Sequence, residues 1–118
     1  IVLGVSAGSM NAAHIVYAAP EEPGEAADPH YSRWMNGLGL TETRILPHYQ
    51  FIRDHVLDGQ KVEDIALADS KKRHFLALPD GSYILCADGS EALYGKGWYF
   101  ADGMMEEINE DEDVLPLR

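Results

Sequence analysis

A chain of 118 residues has room for one domain around one core. Its 20 acidic residues outnumber 9 basic ones, for a net charge of -11 with no offsetting basic patch, which argues against nucleic acids and anionic membrane surfaces as partners. Although 46% of the residues are hydrophobic, no apolar stretch approaches the roughly 18 residues that a bilayer-crossing helix needs, so no membrane span is predicted.

Ile1-Val2-Leu3-Gly4-Val5 is a short, continuous apolar run and reads as a strand buried on both faces, hence parallel and central. The chain opens on Ile1 instead of Met and carries no signal peptide, so the start of the natural protein is expected to be missing. From Ser9 to Tyr17, good helix formers with apolar Met10, Ala13, Ile15 and Val16 predict a helix directly after a tight turn. Over residues 18–37, Pro20, Pro23, Gly24 and Pro29 break any periodicity and predict a long loop that covers a site.

Arg44-Ile45-Leu46-Pro47 predicts a second short strand with His48 at its carboxyl end. Asp54 to Ser70 reads as largely helical on Val56, Leu57, Ile65 and Leu67, with Gly59 weakening its continuity. Strands are then expected at His74–Leu78, Tyr83–Cys86, Ala92–Tyr94, Trp98–Ala101 and Met104–Ile108. Asp80-Gly81, Asp88-Gly89 and Asp102-Gly103 punctuate them as a meander of hairpins. The acidic run from Glu106 to Asp113 reads as a solvated or frayed end. Cys86, predicted to be buried in its strand, is the sole cysteine. It excludes an internal disulfide, suits a reducing compartment and makes the cytoplasm the default location. Two βα-type units followed by antiparallel strands make an α/β fold with half a parallel sheet.

Gly4-Val5-Ser6-Ala7-Gly8 has the GxSxG form of a nucleophile elbow, in which a strained strand-to-helix turn presents a serine hydroxyl near a base and backbone amides. Ser6 is then the nucleophile and the Ala7 N–H an oxyanion donor. A glycine-rich turn that cradles a phosphate would look much the same. Of five histidines, His14 lies too far along the predicted helix, and His55 and His74 read as helix-face and strand-start residues. His30 sits in the long loop, and His48 follows a strand at the end where α/β sites gather, which makes it the first choice of base. Asp80, Asp88 and Asp102 each precede glycine, so each reads as turn chemistry, and the pattern does not separate them as partners for the imidazole. No HExxH or comparable spacing points to a metal.

Three segments, Leu3-Gly-Val-Ser-Ala-Gly-Ser-Met10, Ile45-Leu-Pro-His-Tyr49 and Leu78-Pro-Asp-Gly-Ser82, together resemble the peptidase E and cyanophycinase family of serine peptidases and amidohydrolases. The likeness runs from Ile1 to about Tyr94. It implies the C-terminal half of a flavodoxin-like, class I glutamine amidotransferase-like three-layer α/β domain over residues 1–118, with antiparallel hairpins at its C-terminal end. It also implies a triad of Ser6, His48 and Asp80. The order Ser, His, Asp differs from the Ser, Asp/Glu, His order of an α/β-hydrolase. The implied reaction is hydrolysis of a small peptide next to an aspartyl residue through an acyl-enzyme, without a cofactor or metal.

The family carries further βα units ahead of its elbow, with a second oxyanion donor. The 118-residue chain is therefore expected to lack activity alone, and to pair with its missing N-terminal half, a complementary chain or a homo-oligomeric copy. An acidic substrate meeting this net charge needs a local cation, for which Arg33, Arg44 and Arg53 are candidates, with Tyr31 and Trp34 as candidate pocket walls. The competing class is a binding or regulatory module without turnover.

Overall fold

A computed structural model describes residues 7–87, 89–111 and 113–117. The predicted strand over residues 1–5 lies outside them. The helix α1 (Ala7–Met10) lasts four residues, and the chain then enters β1 (Ile15–Tyr17), which pairs antiparallel with β2 (Trp34–Asn36). The expected helix to Tyr17 is thus corrected. Ile15-Val16-Tyr17 is a β-branched and aromatic run, which suits a half-buried pleated surface better than a helix.

β3 (Ile45–Leu46) follows, then α2 (Tyr49–Ile52), and then a hairpin of β4 (Val56–Leu57) and β5 (Gln60–Lys61). That hairpin corrects the start of the helix expected over 54–70. Asp58 and Gly59 both take positive φ, 52° and 80°, as a two-residue type I′ turn requires. The helix itself, α3 (Val62–Asp69), buries Val62, Ile65, Ala66 and Asp69 along one stripe and carries Glu63 and Asp64 in its first turn, where the helix dipole favours them.

The remainder is strand: β6 (Phe75–Ala77), β7 (Tyr83–Ala87), β8 (Ser90–Tyr94), β9 (Gly97–Ala101), β10 (Met104–Ile108) and β11 (Val114–Pro116). These form a four-stranded sheet in the order β10-β9-β6-β3 and a three-stranded sheet in the order β11-β8-β7. Asp102 and Gly103, with φ 55° and 80°, make the β9–β10 turn. The acidic tail is more ordered than expected, because Glu106 and Glu107 lie in β10 and β11 pairs with β8. Cys86 is exposed on β7, not buried.

The flavodoxin-like, class I glutamine amidotransferase-like three-layer α/β expectation is overturned. A doubly wound sheet joins parallel strands by long helical crossovers, whereas most strand pairs among the described residues are antiparallel, and β4–β5 and β9–β10 are closed by two-residue turns. Among the described strands, β3–β6 is the one parallel pair.

β6 is buried throughout and divides the core. Phe75 and Ala77 face a cluster with Tyr17, Tyr49, Ala66, Trp98 and Phe100, while Leu76 and Leu78 join Leu93, Ile84 and Leu115 on the other side. One face of the four-stranded sheet is therefore covered by α3 and β1, and the other by the three-stranded sheet. No helix among the described residues is long and apolar enough to cross a membrane.

Candidate active site

Because β3 and β6 run parallel, their carboxyl ends open on the same edge. The pairing continues past both strands, with the Leu78 N–H donating to the Leu46 carbonyl at 2.9 Å and the Tyr49 N–H to the Leu78 carbonyl at 3.0 Å. His48 lies between these anchors in the left-handed conformation, φ 58° and ψ 31°. For a residue with a side chain this is a strained backbone state, of the kind found where a side chain must be aimed. His48 precedes α2 without capping it through its side chain.

Across the edge, Pro79 to Ser82 forms a turn in which the Ser82 N–H donates to the Pro79 carbonyl at 3.2 Å and Gly81 takes φ 95°. Asp80 is the second residue of that turn, and its N–H donates to Gln50 Oε1 at 3.0 Å. The result is that His48 Nδ1 lies 2.5 Å from Asp80 Oδ1, between residues 32 positions apart in the chain. Both side chains are about half exposed, at 45% and 50%.

An ionised carboxylate only accepts hydrogen bonds, so the contact makes Nδ1 the donor and leaves the lone pair of the neutral ring on Nε2. That is the tautomer a general base needs, and the carboxylate also stabilises the imidazolium formed when the base takes a proton. Beside the pair is a cleft of about 350 Å³ whose walls include Asp80, Tyr83, Tyr94 and Lys96. Tyr83 and Tyr94 stack with ring centroids 4.9 Å apart, and Ser82 Oγ donates to the Lys96 carbonyl at 2.7 Å. Gly95, at φ 94°, passes so near this turn that an added Cβ would sit 2.4 Å from Ser82 Oγ.

The other sequence candidates are distributed as follows. Ser6 lies outside the described residues, and Ala7 opens α1, which lies against β3. Arg33 donates from Nη1 to Asp69 Oδ1 at 2.8 Å and from Nη2 to the Ala26 carbonyl, so it is a packing residue. Arg53 lies over the rings of Tyr49 and Trp98 and 3.6 Å from Glu63. Arg44 precedes β3, at the opposite end from His48. Trp34 packs on Tyr17, and the Tyr31 hydroxyl donates to the Ala19 carbonyl; both are held in the fold around β1.

Among the rival histidines, His14 lies 3.6 Å from Glu42 on the surface, and His30 and His55 are exposed in turns and loops. Of the three aspartates before glycine, Asp102 serves the β9–β10 turn, Asp88 lies outside the described residues, and Asp80 meets His48. Gln50, Ser82 and Lys96 were missed. Ser82 closes the Leu78–Ser82 segment of the resemblance but was given no role there, and the contacts of Gln50 with Asp80 and of Lys96 with Ser82 join segments distant in the chain. No group of three His, Cys, Asp or Glu side chains among the described residues is placed to hold a metal ion.

A separate buried network joins β1 to α3: the Tyr17 hydroxyl donates to Asp69 Oδ2 at 2.7 Å, while Arg33 holds Oδ1. Burial, and then the Asp69 charge, push the Tyr17 hydroxyl far above its ordinary 10.0. Glu91 is likewise buried and accepts from Thr41 Oγ1 at 2.6 Å and Thr43 Oγ1 at 2.5 Å.

Compared with known proteins, the chain matches no protein-family model, no curated protein and no solved structure.

Proposed function

We propose that this protein is a serine-type hydrolase that cleaves a small peptide next to an aspartyl residue, with Ser6 as nucleophile, His48 as general base and Asp80 as the carboxylate that orients it. The observation that carries this reading is the 2.5 Å contact between His48 Nδ1 and Asp80 Oδ1. His48, favoured by its place after a strand, and Asp80, implied by the resemblance, make a contact of the kind that orients an imidazole as a base. The helix α1, which begins at Ala7, lies against the strand that precedes His48. The proposal rests on these site residues and does not require a flavodoxin-like sheet.

In the acylation step, Ser6 Oγ attacks the substrate carbonyl carbon while His48 Nε2 takes its proton, and the Ala7 N–H helps to hold the oxyanion. Nε2 then returns the proton to the leaving amine as the C–N bond breaks. Water, deprotonated by the same nitrogen, releases the acid and restores Ser6. The chemistry uses no cofactor.

The test is fluorophosphonate labelling of the protein expressed from its native locus, with the modified residue mapped by mass spectrometry. Labelling is expected at Ser6, absent in Ser6→Ala and slowed by roughly 100-fold or more in His48→Ala, the scale of a general base. Unlabelled wild type, or labelling that persists at full rate in either variant, would sink the proposal.

A further inference from the structure

At the end of the β3–β6 pair away from His48 lies a second cleft, of about 370 Å³, a size that accommodates small molecules. Arg44 lines it and is only 9% exposed. Its Nε donates to the His74 carbonyl at 3.0 Å, while its two terminal nitrogens donate to no partner among the described residues. Nor does any carboxylate lie within ion-pairing distance of Arg44 among those residues. In that it differs from Arg33, Arg53 and Lys61, which pair with Asp69, Glu63 and Asp54.

A cation largely withdrawn from water with no carboxylate in ion-pairing distance is costly, and in a chain with 20 acidic residues a directly paired carboxylate would have been easy to supply. Burial, and then the charge of Arg73, push the Arg44 guanidinium below its ordinary value against the weaker opposing charge of Glu42, a shift that a bound anion reverses. The Nε contact fixes the plane of the guanidinium and leaves the edge formed by its terminal nitrogens for a planar, two-oxygen acceptor. The other walls of the cleft include Tyr99, Leu76, Ile108 and Leu117. An inorganic oxyanion would leave these apolar walls unused, whereas the hydrocarbon part of an organic acid would cover them.

We infer that this cleft is a binding site, separate from the His48–Asp80 pair, for a small monocarboxylate with an apolar body, its carboxylate on Arg44 and its hydrocarbon against Ile108 and Leu117. The probe is 4-methylpentanoate, titrated into the whole chain while the methyl resonances of Leu76, Ile108 and Leu117 are followed by NMR. Saturable shifts are expected. The neutral 4-methylpentanamide and inorganic phosphate should each bind at least tenfold more weakly, and Arg44→Lys, which keeps the charge but loses the fork, should weaken the carboxylate about tenfold. Absence of saturation, an amide that binds as tightly as the acid, or phosphate that matches it would overturn the inference. The ligand comparison is made on the unsubstituted chain, so it decides the matter even where an Arg44 variant does not fold.

Discussion

The two faces of the four-stranded sheet are built from different materials. On one face, aromatic rings follow one another from Trp34 through Tyr17, Phe75 and Phe100 to Tyr49 and Trp98, with centroids 4.4 to 5.5 Å apart. On the other face, Leu76, Leu78 and Leu93 pack with Ile45, Ile84, Ile108 and Leu115, which offer no polar atoms. The aliphatic cluster itself is held by area, with polar ties only at its margin, where Glu91 of β8 accepts from Thr41 and Thr43. The aromatic face adds ring geometry and a hydroxyl tied to a charge, so it specifies how β1 and α3 dock as well as that they dock.

The largest effect should come from emptying the aromatic face. Phe100 is fully buried against two rings, and Phe100→Ala should cost about 3–5 kcal/mol in a denaturant titration. The aliphatic counterpart, Leu93→Ala, removes a fully buried side chain between the sheets and should cost about 2–4 kcal/mol. Equal losses would mean that ring stacking adds nothing to burial.

Tyr17→Phe keeps the ring and removes the hydroxyl that meets Asp69, and should cost about 1.5–3 kcal/mol. Its pH signature is more specific. Burial raises both Tyr17 and Tyr49 above their ordinary 10.0, so the folded chain keeps these protons after the unfolded chain has released them. The stability they contribute is complete below pH 10 and is lost as the pH climbs beyond it, by about 1.4 kcal/mol per pH unit for each tyrosine. Tyr17→Phe should make that alkaline decline shallower, whereas Leu93→Ala should shift the curve without changing its slope.

The smallest effect on stability is expected at the candidate site. Asp80→Asn disrupts a half-exposed pair and should move stability by no more than about 1 kcal/mol. In the same protein, fluorophosphonate labelling of Ser6 should slow severalfold or more. A large destabilisation would make the pair a structural tie and not a catalytic one.

What could be read in the sequence was local. Asp102-Gly103 declared its hairpin because two consecutive positive φ angles need those residue types. The same signal at Asp58-Gly59 was concealed, since the charged and apolar residues around it also fit a helical period. At Asp80-Gly81 the turn reading and the carboxylate reading proved compatible, because the turn itself presents the carboxylate to His48. The His48–Asp80 pair was reachable only through order and resemblance. Tyr17, Asp69 and Arg33 were not reachable at all, as they meet through tertiary packing across 36 and 52 positions. The parallel sheet rested on the apolar run at 1–5, which lies outside the described residues, and on resemblance. Phe75-Leu76-Ala77, read as part of the hairpin meander, instead forms the parallel pair with β3 and is buried on both faces because a second sheet packs behind it.

The close approach of Gly95 to Ser82 makes the site vulnerable from a distance. Any side chain at 95 must displace Ser82, and Ser82 belongs to the turn that holds Asp80. A substitution in the β8–β9 connection therefore acts on the carboxylate as a wedge acts on a latch, and the positive φ of Gly95 adds backbone strain to the clash. The contact between His48 and Asp80 is thus open to disturbance there without a change in either residue.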